Sequence, residues 1–275
     1  MKCEICQFNN PKATVTAIIL RNNSLLLLKR NEEPFKDYWD FLGGYMNEGE
    51  IPEVAMIREV KEEIGIEPLD VTFFQAIPGK AYWKDKEFPI LSQFFLVDIG
   101  DKEIKLNNEN SQYTWIPLKD FDPEIIAWDS NQAMAKVIKE KFTFNLEIVR
   151  ELVKQLDPIA EFKEQSLYRA ILNGYVSKFF INETLVGLGW IFPRQTLLRK
   201  QAIIEDMIVS ESCRGMGIGR LILKDLLGWA KENNMDMVEL TTNPNRIAAN
   251  ELYKSEGFWL HNTNHYLYNV NSQNP

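Results

Sequence analysis

Residues 44–66 constrain this chain more than any other segment, because they combine a well-delimited helix with a cluster of acidic side chains. Pro52 suits the first turn of a helix, and Gly65 suits the left-handed position that follows the last turn. Apolar residues at helical spacing give the helix one face that can be buried. On another face, three acidic side chains lie three and four positions apart: Glu59, Glu62 and Glu63.

Three carboxylates this close repel one another unless a cation neutralises them. Their hard oxygen atoms select Mg²⁺ or Mn²⁺ and leave other coordination positions for water and phosphate oxygens. A metal held there would polarise a diphosphate and lower the pKa of an attacking water molecule. The alternative interpretation is an acidic helix face that only meets solvent, as most charged runs do.

The same segment resembles the Nudix box, whose pattern is G-x5-E-x7-R-E-U-x-E-E-x-G-U with U aliphatic. All nine specified positions match: Gly44, Glu50, Arg58, Glu59, Val60, Glu62, Glu63, Gly65 and Ile66. The resemblance implies an α/β fold, an α/β/α sandwich with a mixed sheet, in which the box forms a loop, a helix and a loop. It also implies a metal-dependent enzyme that hydrolyses the diphosphate bond of nucleoside diphosphate compounds.

The resemblance assigns roles to individual residues of the box. Glu59, Glu62 and Glu63 would hold Mg²⁺ or Mn²⁺, with the carbonyl of Gly44 as a further ligand. Glu62 or Glu63 would also activate the attacking water.

Two further residues of the box have roles implied by the resemblance, and one position just before the box differs from the usual family sequence. Glu50 and Arg58 would make a supporting contact that orients the helix and belong to the catalytic set. The chain carries Leu42 before its glycine pair, where such families usually have proline.

The N-terminal stretch resembles the start of Nudix proteins that carry a zinc ribbon, here reduced to Cys3 and Cys6. A structural zinc site needs four ligands, so this pair is half a site, and we expect it to hold no zinc. Ligands shared across a homodimer are the alternative. Since the ribbon-bearing group is described as ADP-ribose pyrophosphatase-like, ADP-ribose is the leading substrate.

A glycine-rich turn at 214–220 follows a predicted strand and precedes a predicted helix. Such a turn lets backbone N–H groups approach a diphosphate at the positive end of the helix. One alternative is that the glycines serve turn geometry only. Another is a dinucleotide-binding turn, but the spacing here is G-x-G-x-G instead of G-x-G-x-x-G, and the surrounding elements do not repeat.

From about residue 143 to 275 the chain resembles the GNAT acyltransferases. Their acyl-CoA motif, (Q/R)-x-x-G-x-(G/A), is met by Arg214, Gly217 and Gly219, and the block at 245–258 looks like the late helix of the family. The resemblance implies acetyl-CoA bound between two splayed strands. The implied contacts with acetyl-CoA are Ile208, Val209, Arg214, Gly215, Met216, Gly217, Ile218, Gly219, Arg220 and Asn245.

Two catalytic roles follow from the same resemblance. Tyr253 matches the tyrosine that protonates the departing thiolate, and Glu205 on the splayed strand is the candidate base for the acceptor amine. The alternatives are a packed helix tyrosine and a solvated or structural strand glutamate. Relatives often carry asparagine where this chain has Arg246, with Asn245 one step earlier.

A chain of 275 residues favours two domains. We expect a Nudix hydrolase domain at 1–142 and a GNAT N-acetyltransferase α/β domain at 143–275. The helical pattern at 129–141 closes the first unit, and no Gly/Ser/Pro-rich linker marks the boundary.

Charge and composition exclude several classes of protein. The net charge of −8 argues against extended nucleic-acid or membrane-surface binding, and the apolar runs are too short for a membrane span. With three cysteines and an N-terminus unlike a signal peptide, we expect a cytoplasmic protein. The leading interpretation is a bifunctional enzyme that acts on a nucleoside diphosphate compound and acetylates an unidentified amine. The alternatives are an active Nudix enzyme with an acyl-CoA sensor, and a non-catalytic interaction protein.

Overall fold

The computed structural model describes residues 7–84, 86–268 and 270. Cys3 and Cys6 lie outside the described residues, so the zinc prediction remains a prediction. Within the described part of the chain, no helix is both long and apolar enough to cross a membrane.

The N-terminal half is built from two small sheets and two helices. Its elements are β1 (Lys12–Ile18), β2 (Leu20–Arg21), β3 (Ser24–Arg30), β4 (Trp39–Asp40), β5 (Leu42–Tyr45), α1 (Pro52–Ile64), β6 (Asp70–Trp83), β7 (Lys86–Asp98), β8 (Asn110–Pro117) and α2 (Asp129–Phe142). The first sheet has the strand order β5-β1-β7-β6, and β1 pairs with β7 in parallel and with β5 antiparallel. The second joins β2, β3 and β4, with β8 on the other edge of β3.

Helices cover both faces of the first sheet. Along β1 the side chains alternate, so that Val15 and Ala17 share a core with α1 while Ile18 shares a core with α2. The residues that α1 buries are Ala55, Met56, Glu59, Val60, Glu63 and Ile64. This arrangement confirms the expected α/β/α sandwich with a mixed sheet.

Residues 14–20 and 24–30 are two β-rich runs separated by a short turn, a pattern that predicts a hairpin, and the observed hairpin is shorter than this pattern implies. Only β2 pairs with β3, around the left-handed residues Asn22 and Asn23. β1 instead lies inside the first sheet, between β5 and β7. Its side chains pack into apolar cores on both faces of the sheet, as those of an interior strand do.

The C-terminal half forms a third sheet with helices on both faces. Its elements are α3 (Leu146–Leu156), α4 (Glu164–Asn173), β9 (Tyr175–Ile181), β10 (Thr184–Gln195), β11 (Lys200–Val209), α5 (Ile218–Glu232), β12 (Met237–Leu240) and α6 (Ile247–Ser255). The strand order is β12-β11-β10-β9. Helix α4 was not predicted from the sequence.

Helix α4 joins the two halves. The Glu164 carboxylate accepts the backbone N–H groups of Asn22 and Asn23 at 2.8 and 2.7 Å, and Arg169 reaches Asp70 at 3.2 Å. The buried ring of Tyr168 belongs to the same hydrophobic core that lies beneath α2. The two halves therefore pack as close neighbours.

Asp40 is a buried carboxylate that should make stability depend on pH. Burial raises its pKa to about 6, although Asn131 at 2.7 Å and Arg30 at 3.9 Å favour its charged form. In the unfolded chain the Asp40 carboxyl has its ordinary pKa of 3.8. The stability that protonated Asp40 contributes to the fold is therefore fully present below pH 3.8 and is lost as pH rises through about 6. When pH rises from 4 to 6.5, the free energy of unfolding should therefore fall less in Asp40→Asn than in wild type.

Urea unfolding at the two pH values measures this effect, and subtracting the two proteins cancels the carboxylates that they share. The expected difference is roughly 2 kcal/mol. Equal losses in the two proteins would contradict a raised pKa at Asp40.

Candidate active sites

Two glycines allow the end of β5 to lie against its neighbours. A Cβ on Gly43 would overlap the carbonyl oxygen of Val15 in β1, and a Cβ on Gly44 would overlap the carboxylate of Glu59 in α1. The backbone of β5 therefore approaches the acidic face of α1 so closely that only glycine fits at these two positions.

Arg58 is the centre of the ion-pair network on α1. Its guanidinium donates to both oxygens of Glu50, at 2.7 and 3.0 Å, and to the carbonyl of Tyr45 at 3.0 Å. One remaining nitrogen donates to Glu59 at 2.7 Å and to Glu62 at 3.1 Å. The bond from Arg58 holds the pKa of Glu50 down at about 2, and the same bond raises the pKa of Arg58. This bidentate pair ties the loop before α1 to the helix.

Glu63 is held separately from the other two glutamates. It is 5% exposed and accepts the backbone N–H of Gly43 at 2.8 Å and the side-chain amide of Asn110 at 2.6 Å. Burial raises its pKa to about 8, and the charges of Glu59 and Glu109 act in the same direction. Burial also raises the pKa of Glu59.

The three predicted metal ligands do not meet at one point. Glu59 and Glu62 share Arg58, whereas Glu63 faces Gly43, and no three acidic, histidine or cysteine side chains among the described residues are grouped to hold an ion. Because like charges repel, the carboxylates meet hydrogen-bond donors instead of one another: Glu59 and Glu62 share Arg58, and Glu63 accepts from Gly43 and Asn110.

Sequence reasoning missed Asn110, which begins β8, and Glu109 just before it, and both face the same acidic cluster. They lie more than forty residues after the helix, so helical spacing could not connect them to it. The donor set nevertheless fits a divalent cation. Three carboxylates share the guanidinium of Arg58, and Glu63 belongs to the same acidic face. Glu59 and Glu63 have raised pKa values that a cation would lower.

A cavity of about 650 Å³ opens beside the end of β5. Tyr45, which follows Gly44, lines one side, and Tyr82 lines another. The Lys12 ammonium lies over the rings of Tyr45 and Phe88, at 5.6 and 4.9 Å, so the cavity combines positive charge with flat aromatic surface.

In the C-terminal half, two parallel strands separate where the sequence predicts the acyl-CoA site. β11 and β12 pair from Gln201 with Met237 to Ile204 with Leu240. β11 then continues to Val209 paired with β10 alone. A register shift between β10 and β11 in this stretch marks a bulge in β11. The splay exposes one backbone edge of β11, next to Ile208 and Val209.

The glycine-rich turn lies just beyond this edge. Gly217 has φ of 80° and starts α5, with its carbonyl accepting from Arg220 at 3.0 Å. Gly215 has φ of 82°, and a Cβ at either glycine would find no atom of the described chain within 4 Å. Glycine is therefore needed for the left-handed backbone, and the space in front of the turn is open.

The two arginines of the turn have different surroundings. Arg214 donates to the carbonyl of Val209 at 3.3 Å and pairs with Glu211 at 3.2 Å. Arg220 is held against the end of α6, where it pairs with Glu256 and donates to Ser255 at 3.0 Å. Arg214 therefore lies on the strand side of the turn and Arg220 on the helix side.

The predicted catalytic residues of this half lie on β11 and α6. Tyr253 is half-buried against Phe258, and burial raises the pKa of its hydroxyl. Burial, followed by the charge of Asp206, raises the pKa of Glu205.

Asn245, a predicted contact of the cofactor, and its neighbour Arg246 both make hydrogen bonds within the chain. The backbone N–H of Asn245 donates to the Asn243 side chain at 2.9 Å. Arg246 reaches the carbonyl of Leu156 in α3 at 3.1 Å. Arg246 thus connects the start of α6 with α3.

Comparisons with known proteins match the two halves of the chain to two different family models. The family model "NUDIX domain" matches residues 10–140, and the model "Acetyltransferase (GNAT) family" matches residues 140–258. An ADP-ribose pyrophosphatase of Methanocaldococcus jannaschii is 30% identical over 125 residues, 44% of this chain and 73% of that protein. The nucleoside triphosphatase NudI of Escherichia coli is 27% identical over 139 residues, 47% of this chain and 96% of that protein.

A solved structure resembles the other half. The crystal structure of an acetyltransferase from Trypanosoma brucei is 21% identical, with a TM-score of 0.39, and covers 45% of this chain and 92% of its own. Both family models describe enzymes. This chain belongs to the Nudix family through its N-terminal half, and its C-terminal half matches the GNAT acetyltransferase family model.

Proposed function

We propose that the N-terminal half hydrolyses the diphosphate bond of a nucleoside diphosphate compound, with ADP-ribose as the leading substrate and Mg²⁺ or Mn²⁺ as the metal. The observation that carries the proposal is the acidic face of α1, anchored by Glu50 and Arg58 beside a cavity lined by lysines and aromatic rings. The choice of ADP-ribose is supported by the similarity to the Methanocaldococcus enzyme.

In this proposal Glu59, Glu62 and Glu63 hold the metal together with the Gly44 carbonyl. The metal supplies polarisation of the diphosphate and a lower pKa for the attacking water. Glu62 or Glu63 takes the proton from that water. Glu50 keeps Arg58, and with it the helix, in position.

A panel of nucleoside diphosphate compounds, incubated with the full chain and Mg²⁺, tests this proposal. Products are identified by mass spectrometry. The proposal expects cleavage between the two phosphates, with ADP-ribose among the fastest substrates. Absence of cleavage across the panel would overturn the function, whereas preference for another compound would overturn only the substrate.

For the C-terminal half, we infer transfer of an acetyl group from acetyl-CoA to an amine, in a domain that begins at residue 143. The splayed edge of β11 and the open glycine-rich turn support this inference. The amine nitrogen attacks the thioester carbonyl, the C–N bond forms and the C–S bond breaks. Glu205 takes the proton of the amine, and Tyr253 gives its proton to the departing thiolate.

Replacing Tyr253 with phenylalanine tests the proposed acid. The variant keeps the ring and its packing on Phe258 but loses the phenolic proton. Acetyl transfer should slow by roughly 10²-fold or more, while the Kd for acetyl-CoA should stay within about twofold. Thiol release and calorimetry with acetyl-CoA measure the two quantities. Unchanged turnover would remove the acid role from Tyr253 and leave the acyl-CoA site standing.

A further inference from the structure

Helix α4 lies outside both active-site motifs, and polar contacts fix its start to the N-terminal half. The Glu164 carboxylate accepts the N–H groups of Asn22 and Asn23 at 2.8 and 2.7 Å. Both asparagines have left-handed backbones, so the turn presents two successive donors to one carboxylate. Gln165 adds a hydrogen bond to the carbonyl of Leu20 at 3.1 Å. Charge-assisted bonds of this kind are stronger than neutral ones, so α4 is held firmly on the turn.

The buried face of α4 belongs to a core that both halves share. Tyr168 is fully buried, and its ring centroid lies 5.7 Å from that of Phe142 in α2. The same apolar cluster includes Leu188 of β10 and Ile208 of β11. The core of the N-terminal half is therefore continuous with the strand that borders the proposed acyl-CoA site.

α4 is also tied to β10 opposite the bulge of β11. The indole N–H of Trp190 in β10 donates to the carbonyl of Ala170 in α4 at 2.9 Å. Across the pair of strands, Trp190 faces Glu205. The next pair in register is Leu188 with Ile208, so two residues of β11 lie opposite one residue of β10. A bulge disrupts the ladder locally, so the contacts of β10 with α4 help to fix its shape.

We propose that α4 is a positioning element for the acyl-CoA site, and that Glu164 sets the affinity for acetyl-CoA from outside that site by holding α4 on the N-terminal half. This proposal rests on the acyl-CoA site proposed above. Packed side chains and hydrogen bonds that join distant parts of a fold can carry a coupling free energy between them. Here the connection runs from the turn at 22–23 through α4 and Trp190 to the bulge of β11.

The test replaces Glu164 with glutamine, which keeps the size of the side chain but leaves only one oxygen to accept the two N–H groups. Arg169→Gln is a second variant, and it decides the question by itself if Glu164→Gln is unfolded. Arg169 is exposed and pairs with Asp70 of the N-terminal half at 3.2 Å, so its replacement weakens the same anchor without touching the core. Glu151→Gln is the matched control, since Glu151 is an exposed acid on the preceding helix, α3.

Calorimetry with acetyl-CoA on the full chain measures the Kd, and thermal unfolding verifies that each variant is folded at the temperature used. We expect Glu164→Gln to weaken binding by roughly tenfold and Arg169→Gln by about threefold. Glu151→Gln should match wild type.

A double-mutant cycle separates positioning from a general loss of stability. Trp190→Phe keeps an aromatic ring but removes the donor to Ala170, so it should also weaken acetyl-CoA binding. If Glu164 acts through Trp190, the double variant should bind within about threefold of the weaker single variant, whereas independent effects would multiply. A residue that only stabilises the fold would lower the unfolding temperature and leave the Kd unchanged.

The outcomes distinguish this proposal from the transferase function. If the folded variants Glu164→Gln and Arg169→Gln bind acetyl-CoA as tightly as wild type, or if the effects of Glu164→Gln and Trp190→Phe multiply, the positioning role is overturned. If wild type binds no acetyl-CoA, the acyl-CoA site fails and the positioning role fails with it. If binding depends on Glu164 but no amine is acetylated, the positioning role stands and the transferase proposal fails.

Discussion

Glu62→Gln is expected to lower the rate of diphosphate hydrolysis by roughly 10²–10⁴-fold. Glu62 lies on the exposed side of the acidic face, and its carboxylate accepts a hydrogen bond from Arg58 at 3.1 Å. The amide keeps the size of the side chain but cannot take a proton or bind a cation as a charged oxygen. Initial rates with ADP-ribose at saturating Mg²⁺ measure the effect.

Glu53→Gln is the matched control for this variant. Glu53 is an exposed acid in the first turn of the same helix, so its replacement removes the same charge away from the acidic cluster. It should retain wild-type activity within about twofold, since exposed charges contribute little. Acetyl-CoA binding should be unchanged in both variants. If Glu62→Gln hydrolyses as fast as Glu53→Gln, the role assigned to Glu62 is wrong.

Gly217→Glu is expected to weaken acetyl-CoA binding by roughly 100-fold or more, because like charges placed together in a binding site cost several kcal/mol. A side chain at Gly217 points into the open space in front of the turn, where the diphosphate of CoA is proposed to lie. Calorimetry with acetyl-CoA on the full chain measures the loss.

Two controls separate the charge from other effects of this substitution. Gly217→Asn keeps a residue that tolerates φ of 80° and adds no charge, so it should lose less affinity than Gly217→Glu. Gly228→Glu adds the same charge within α5, also into open space, and should bind normally. Binding by Gly217→Glu at the wild-type level would remove the acyl-CoA site from this turn.

Local patterns in the sequence predicted much of the fold. Helix α1 begins at Pro52 and ends before Gly65, which adopts the left-handed conformation, because both boundaries are set by the backbone preferences of single residues. Helix α2 and the strand, turn and helix around Gly217 were predicted for similar reasons.

Features that depend on tertiary contacts were missed. No side chain caps the start of helix α4, so its boundary gives little signal in the sequence. Its position depends on the hydrogen bonds of Glu164 with the turn at Asn22 and Asn23, which lies far away in the sequence. The strand β6 was not predicted either. Its long pairing with β7 is visible only in the assembled sheet.

The candidate hydrolase site was predicted in composition but not in arrangement. Helical spacing correctly placed Glu59, Glu62 and Glu63 on α1, but spacing cannot state which donors each carboxylate meets. Glu63 turns toward Gly43 and Asn110, because the end of β5 and the start of β8 provide N–H donors beside it. Those donors come from strands that only the fold brings to the helix.

The most direct measurement of the central claim is the fate of ADP-ribose incubated with the full chain and Mg²⁺, with and without EDTA. Liquid chromatography coupled to mass spectrometry separates the products. We predict AMP and ribose 5-phosphate in equal amounts with Mg²⁺, and no cleavage once EDTA removes the metal. Cleavage that persists in EDTA would contradict the assignment of the acidic face of α1 as a metal-dependent hydrolase site.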